Sequence, residues 1–175
     1  MIAGAVYSKR QAGIVLASRP LWGTFPPVSH GVTAAQKLGL RYEEKALNYL
    51  ENVCKQAISH LGFTYVSEEA RGKRGTYFCW PDAIIFNSDL SVLTIVEIKR
   101  HHTVDAYVQL KYLYLPVISK AFPGKLVQCM ELCQYFDPSI RFPSATAVLT
   151  SDEDLLKVVE AKRPSAMSVC IWTGR

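Results

Sequence analysis

No apolar run in the 175 residues approaches the ~20 needed to cross a bilayer as a helix, so no membrane span is expected. Residues 1–17 are partly apolar, but Lys9, Arg10 and Gln11 interrupt them, which makes a poor secretory signal. Cysteine is sparse and odd in number. Cys54, Cys79, Cys129, Cys133 and Cys170 sit mostly in apolar surroundings and contain no compact CxxC pair. That argues against a disulfide framework and against an iron–sulfur set built from Cys54, Cys129, Cys133 and Cys170, and it favours a reducing cytoplasm. Internal repeats, low-complexity tracts and an interdomain linker are also missing. Charge is not strongly one-sided: a net +5 is compatible with a polyanionic partner without requiring one.

What is present reads as an ordinary globular chain, 49% apolar and 20% charged, large enough to bury a core. Residues 33–175 are expected to form a single α/β domain. Residues 1–32, broken by Pro20, Gly23, Pro26 and Pro27, are expected to form an N-terminal arm or extension, with an arm packed on the body, a disordered tail and a dimer-contacting arm all open.

The most informative stretch is Trp80–Arg100. Two apolar, β-rich segments, Ala83–Phe86 and Val92–Ile98, flank Asn87-Ser88-Asp89-Leu90-Ser91, the pattern of a hairpin. The second strand is apolar on both faces and is therefore expected to be central and covered on both sides. If Asn87 faces Val92, Asp82 falls opposite Glu97. Strand alternation puts Lys99 on the same face as Glu97. Two carboxylates and an ammonium would then meet at the end of a buried strand pair, an expensive arrangement unless the charges are paired or bind a cation. Carboxylate oxygens suit Mg²⁺, with Mn²⁺ as a substitute.

Pro81-Asp82 followed by Glu97-Ile98-Lys99 resembles the PD-(D/E)XK nuclease superfamily. The resemblance covers roughly Gly39 to Phe136 and implies a restriction-endonuclease-like αβββαβ core, with a mixed central β-sheet flanked by helices. It implies Mg²⁺-dependent hydrolysis of phosphodiester bonds in DNA. Asp82 and Glu97 would be metal ligands, with the Ile98 carbonyl as a further one, and Lys99 would position or activate water. Compact nucleases of this kind are often encoded by phages and mobile elements and act in the host cytoplasm. An endonuclease working as a homodimer, a junction resolvase and a small exonuclease all remain open.

Residues 33–61 show a helical period, with Thr33 as N-cap and Gly62 as stop. Glu44 shares its face with Asn48, Glu51 and Lys55. Glu43 instead lies on the stripe of Ala46, Leu47, Leu50 and Cys54, and an acid on a core-facing stripe needs a reason. The resemblance agrees, since the first helix in many members carries an acid that approaches the metal. Phe63–Val66 reads as a strand, followed by a polar loop whose Arg71, Lys73 and Arg74 either grip phosphates or form a solvated charge run. Arg100, His101 and His102 are expected at the surface or on phosphate.

Thr103 reads as the N-cap of a helix from Val104 that carries Gln109. The resemblance implies that this glutamine supports the lysine or contacts substrate. In the best-defined subgroup a tyrosine follows four residues later, where this chain has Leu113. Pro116 is expected to interrupt or kink the helix. Leu126–Phe136 fits a fourth strand by the superfamily's order, followed by a strand at Ala145–Thr150, a helix at Leu155–Ala161 capped from Ser151, and a strand at Met167–Trp172. Two rival readings stand beside the nuclease: a non-catalytic nucleic-acid-binding module on the same fold, and a structural protein whose apparent motif is a surface salt bridge.

Overall fold

The computed structural model describes residues 16–22, 33–68, 74–140, 146–149, 152–163 and 167–174. Nine strands and four α-helices lie among them. In order they are β1 (Leu16–Trp22), α1 (Ala34–Val53), β2 (Ala57–Ser59), β3 (Leu61–Glu68), β4 (Arg74–Cys79), β5 (Ala83–Phe86), β6 (Val92–His101), α2 (Val104–Gln109), a π-helical turn (Leu110–Tyr114), α3 (Leu115–Ala121), β7 (Leu126–Tyr135), β8 (Thr146–Leu149), α4 (Asp152–Glu160) and β9 (Met167–Ile171). The main sheet has the order β2-β5-β6-β7-β9-β8. It is mixed, with β2, β5 and β6 paired antiparallel and β6, β7, β9 and β8 parallel. A second sheet, β1-β3-β4, is wholly antiparallel.

β6 is the axis of the fold. From Val92 to Ile98 every residue is buried, as an unbroken apolar run predicts for a strand covered on both faces. Val96 and Ile98 join Ala83, Ile85, Met130 and Leu132 under Tyr42, Ala46, Leu47 and Leu50 of α1 and Leu155 and Val159 of α4. On the opposite face, Leu93 and Ile95 pack with Ile84 and Cys129 against Tyr107, Leu110, Leu113, Val117 and Ile118. Phe63, Tyr65 and Cys79 of the small sheet close that second core. The result is a mixed α/β architecture with helices on both faces of the central sheet.

Local chemistry explains most of the boundaries. Thr33 caps α1 through a capping box, its hydroxyl accepting from Gln36 N at 3.2 Å while Gln36 Oε1 accepts from Thr33 N at 2.8 Å. The hairpin register is the expected one, with Ala83 opposite Val96 and Phe86 opposite Leu93. Buried Asn87 closes the turn by accepting from Val92 N at 2.8 Å.

Four expectations require correction. The first helix ends at Val53, not Leu61, and Gly62 lies inside β3 rather than stopping a helix. Ala57 and Ile58 continue the helical stripe, yet they pair with Ile85 and Ile84 as an edge strand, because the exposed side of β5 offers a full ladder. Part of the 1–32 region is regular: β1 pairs with β3 despite Pro20, which is tolerated because β1 is an edge strand and the register shifts between Ala17 and Pro20. The segment leading into the hairpin is not all loop, since Thr76–Cys79 belong to β4. Pro116 falls at the start of α3, after the π turn in which Leu115 N–H bonds to the Leu110 carbonyl. The wider turn relieves the clash that a proline imposes on a regular helix. Ser151, expected as a cap for α4, lies outside the described residues.

Candidate active site

The hairpin register decides what meets at the end of β5 and β6. Asn87 N–H bonds to the Val92 carbonyl at 3.1 Å, so 87 and 92 form a hydrogen-bonded pair. The ladder runs as far as Ala83 opposite Val96, so Asp82 stands one residue beyond its end, next to the stretch of β6 that carries Glu97. The Ile98 N–H goes to Asp82 Oδ2 at 2.6 Å. This bond from the Ile98 N–H fixes the Asp82 carboxylate at the end of the hairpin.

Glu97 is 2% exposed, and its Oε1 accepts from Lys99 Nζ at 2.5 Å. Its Oε2 is buried without any hydrogen-bond partner among the described residues. A surface salt bridge is therefore excluded as the origin of the motif. Glu43 projects from α1 into the same electrostatic neighbourhood. Burial, then the charge of Asp82, raises its pKa to about 7 against the opposing pull of Lys99. Burial, then Asp82, with a smaller contribution from Glu43, raises Glu97 to about 8, again against Lys99. Asp82 is raised by burial and held back by the Ile98 N–H, Lys99 and His60. For Lys99, burial favours the neutral amine, but Glu97, Asp82 and Glu43 together outweigh it and raise the pKa. Three carboxyl groups crowd one ammonium in a desolvated place, where burial and mutual repulsion favour their protonated forms.

The arrangement fits a small hard cation. Mg²⁺ typically takes one or two protein carboxylates and fills its remaining positions with water and substrate phosphate. Asp82 and Glu97, with the Ile98 carbonyl, are oxygen donors of the kind that could hold such an ion, and Glu97 Oε2 is a buried oxygen with no hydrogen-bond partner among the described residues. Among the described residues no group of three or more His, Cys, Asp or Glu side chains is arranged to hold a metal ion.

The remaining expected site residues divide. Gln109, half-buried, is the last residue of α2 and makes no hydrogen bond to Lys99 or Glu97 among the described residues. The π turn directly after it delays the helical phase by about one residue, so Tyr114 rather than Leu113 follows one turn on. Tyr114 donates its hydroxyl to the Trp80 carbonyl at 3.1 Å. Arg100 packs over the ring of Tyr135, 5.3 Å from its centroid, and donates through Nε to Gln134 at 3.3 Å. His101 is exposed and stacks on the same ring at 5.0 Å. Arg71 and Lys73 lie outside the described residues, and Arg74 opens β4.

His102 departs from the expectation of surface or phosphate contact. It is 3% exposed, its Nδ1 lying 2.5 Å from Glu131 Oε2 and its Nε2 3.0 Å from the Ile140 carbonyl. Glu131 on β7 was not singled out in the sequence, although an acid inside Met130-Glu131-Leu132-Cys133 carries the same signal as Glu43 on its stripe. His60 was missed as well: its backbone N–H supports the Asp82 carbonyl at 3.1 Å.

Comparison with protein-family models, with curated proteins and with solved structures finds no match to this chain.

Proposed function

We propose that this protein is a Mg²⁺-dependent DNA nuclease with a restriction-endonuclease-like αβββαβ core of the PD-(D/E)XK type. The observation that carries the reading is a buried Glu97 whose Oε2 has no hydrogen-bond partner among the described residues, held by Lys99 and within reach of the charge of Asp82. A bound Mg²⁺ would lower the pKa of coordinated water and offset charge on the phosphoryl oxygens. Asp82, Glu97 and the Ile98 carbonyl would hold it, with Glu43 contributing through water.

Lys99 keeps its proton in this setting and holds Glu97 from one side. Its ammonium is placed to orient an attacking water and to stabilise negative charge developing on the phosphate. Glu43, with a pKa near neutrality, can exchange a proton with water at the site at working pH. Gln109 would contact substrate rather than Lys99. The phosphodiester backbone would be met by Arg100 and His101, by Arg71 and Lys73 ahead of β4, and by Arg74 at its first position.

The deciding experiment incubates the wild type and Asp82→Ala with supercoiled, linear, single-stranded and branched DNA in Mg²⁺, Mn²⁺ or EDTA. Cleavage by the wild type alone, abolished by EDTA, is expected, and the preferred substrate selects endonuclease, exonuclease or resolvase. A folded protein that binds DNA and cuts none of these is a binding module instead.

A further inference from the structure

Glu97 and Glu131 are register partners on the parallel strands β6 and β7, so their side chains leave the same face of the sheet on strands ~4.8 Å apart. Lys99 lies on that face too, two residues beyond Glu97. It therefore has two carboxylates in its vicinity, and its charge reaches Glu131 as well as Glu97. It bonds to Glu97.

The difference lies in what already occupies Glu131. The Ile140 carbonyl can only accept, so His102 Nε2 carries a hydrogen. The 2.5 Å contact between Nδ1 and Glu131 Oε2 must then contain one further proton, on either atom. In both forms the pair is electrically neutral. Glu131 Oε1 accepts from Thr103 N at 3.3 Å, and Thr103 is the N-cap of α2. Both oxygens of Glu131 are thus engaged, whereas Glu97 retains an open one.

We infer that His102 is a positioning residue: by neutralising Glu131 it keeps Lys99 on Glu97 and leaves the Asp82–Glu97 pair as the place where a cation is drawn. Without His102, Glu131 would be a fully buried acid, and Lys99 is the other cation whose charge reaches it, so the cost of leaving the ionised form unpaired would draw the ammonium across. The inference rests on the nuclease reading only for its effect on rate. The displacement of Lys99 is independent of it.

Three variants test this: His102→Leu, Glu131→Gln, and the double His102→Leu/Glu131→Gln. Glutamine at 131 can still accept from Thr103 N and donate to His102 Nδ1, but it carries no charge. Two readouts are taken, steady-state cleavage and the NMR resonance of the Lys99 ammonium, assigned by its loss in Lys99→Gln. His102→Leu is expected to lower kcat by about tenfold or more with KM within about twofold, the pattern of a lost transition-state interaction, and to shift the Lys99 resonance. Glu131→Gln stays near wild type, and the double variant recovers kcat and the wild-type resonance.

A double variant as impaired as His102→Leu would show that His102 merely fills space and would overturn the inference. So would an unmoved Lys99 resonance in a folded His102→Leu protein. If the wild type cuts nothing, the nuclease reading fails by itself, and the resonance still decides where His102 keeps Lys99.

Discussion

The hydroxyl of Tyr114 reaches the carbonyl of Trp80, tying the end of the π turn to the backbone two residues before Asp82. The bond joins the helical layer to the segment that delivers the carboxylate, across the core containing Ile84, Ile95 and Tyr114. Tyr114→Phe keeps the ring in that core and removes only the hydroxyl. It is expected to cost about 1 kcal/mol of stability, the net value of one hydrogen bond, read by urea unfolding. A larger loss in kcat than in stability would show that the bond also sets the position of Asp82.

The carboxylates give the protein a distinctive response to pH. Glu43 is raised to about 7 and Glu97 to about 8, chiefly by burial. Between the ordinary carboxylate range and these values the folded state holds more protons than the unfolded chain. Stability therefore falls as pH rises through this window. The metal-free protein is expected to melt at a lower temperature at pH 8.5 than at pH 5.5. On the proposed reading Mg²⁺ would bind the ionised carboxylates, so the stabilisation it brings is expected to grow over the same range. Glu97→Gln should flatten part of the metal-free slope and remove most of the Mg²⁺ effect. Calorimetric scans at the two pH values, with Mg²⁺ and with EDTA, check both statements.

Arg100 supplies the third prediction. Held over the ring of Tyr135 and bonded to Gln134, its guanidinium is pre-arranged near the end of β6, one residue beyond Lys99. Arg100→Ala is expected to weaken DNA binding evenly across sequences and to reduce the slope of log K against log salt by about one, the effect of one lost phosphate contact. Fluorescence anisotropy over a salt series, in Ca²⁺ to suppress cutting, reads this directly. An unchanged slope would place Arg100 outside the DNA contact.

The features legible in the sequence were those governed by short-range chemistry. Asn87 and the alternating strands around it specify the hairpin, and that register brings Asp82 next to the stretch of β6 that carries Glu97. The phase of α1 separated Glu43 from Glu44 because one helical step decides which of two adjacent acids meets the core. Legibility failed where a distant partner made the decision. Ala57 and Ile58 fit a helical stripe, and only β5 turns them into a strand. His102 sits in a run of polar residues after Lys99, and nothing local reveals that Glu131 and Ile140, 29 and 38 residues away, enclose it. The π turn is equally non-local: its extra residue absorbs Pro116 and carries Tyr114 to Trp80, which a count of four from Gln109 does not foresee.

All five cysteines are buried free thiols, and burial raises Cys54 to about 11 and the other four to about 12. At neutral pH almost none of their sulfur is thiolate, the form that alkylates. The folded chain is therefore chemically silent toward maleimides, so a single cysteine engineered onto its surface would be the one handle a dye or cross-linker finds. The protein comes with a blank background for attaching reporters, with no native thiol to remove first.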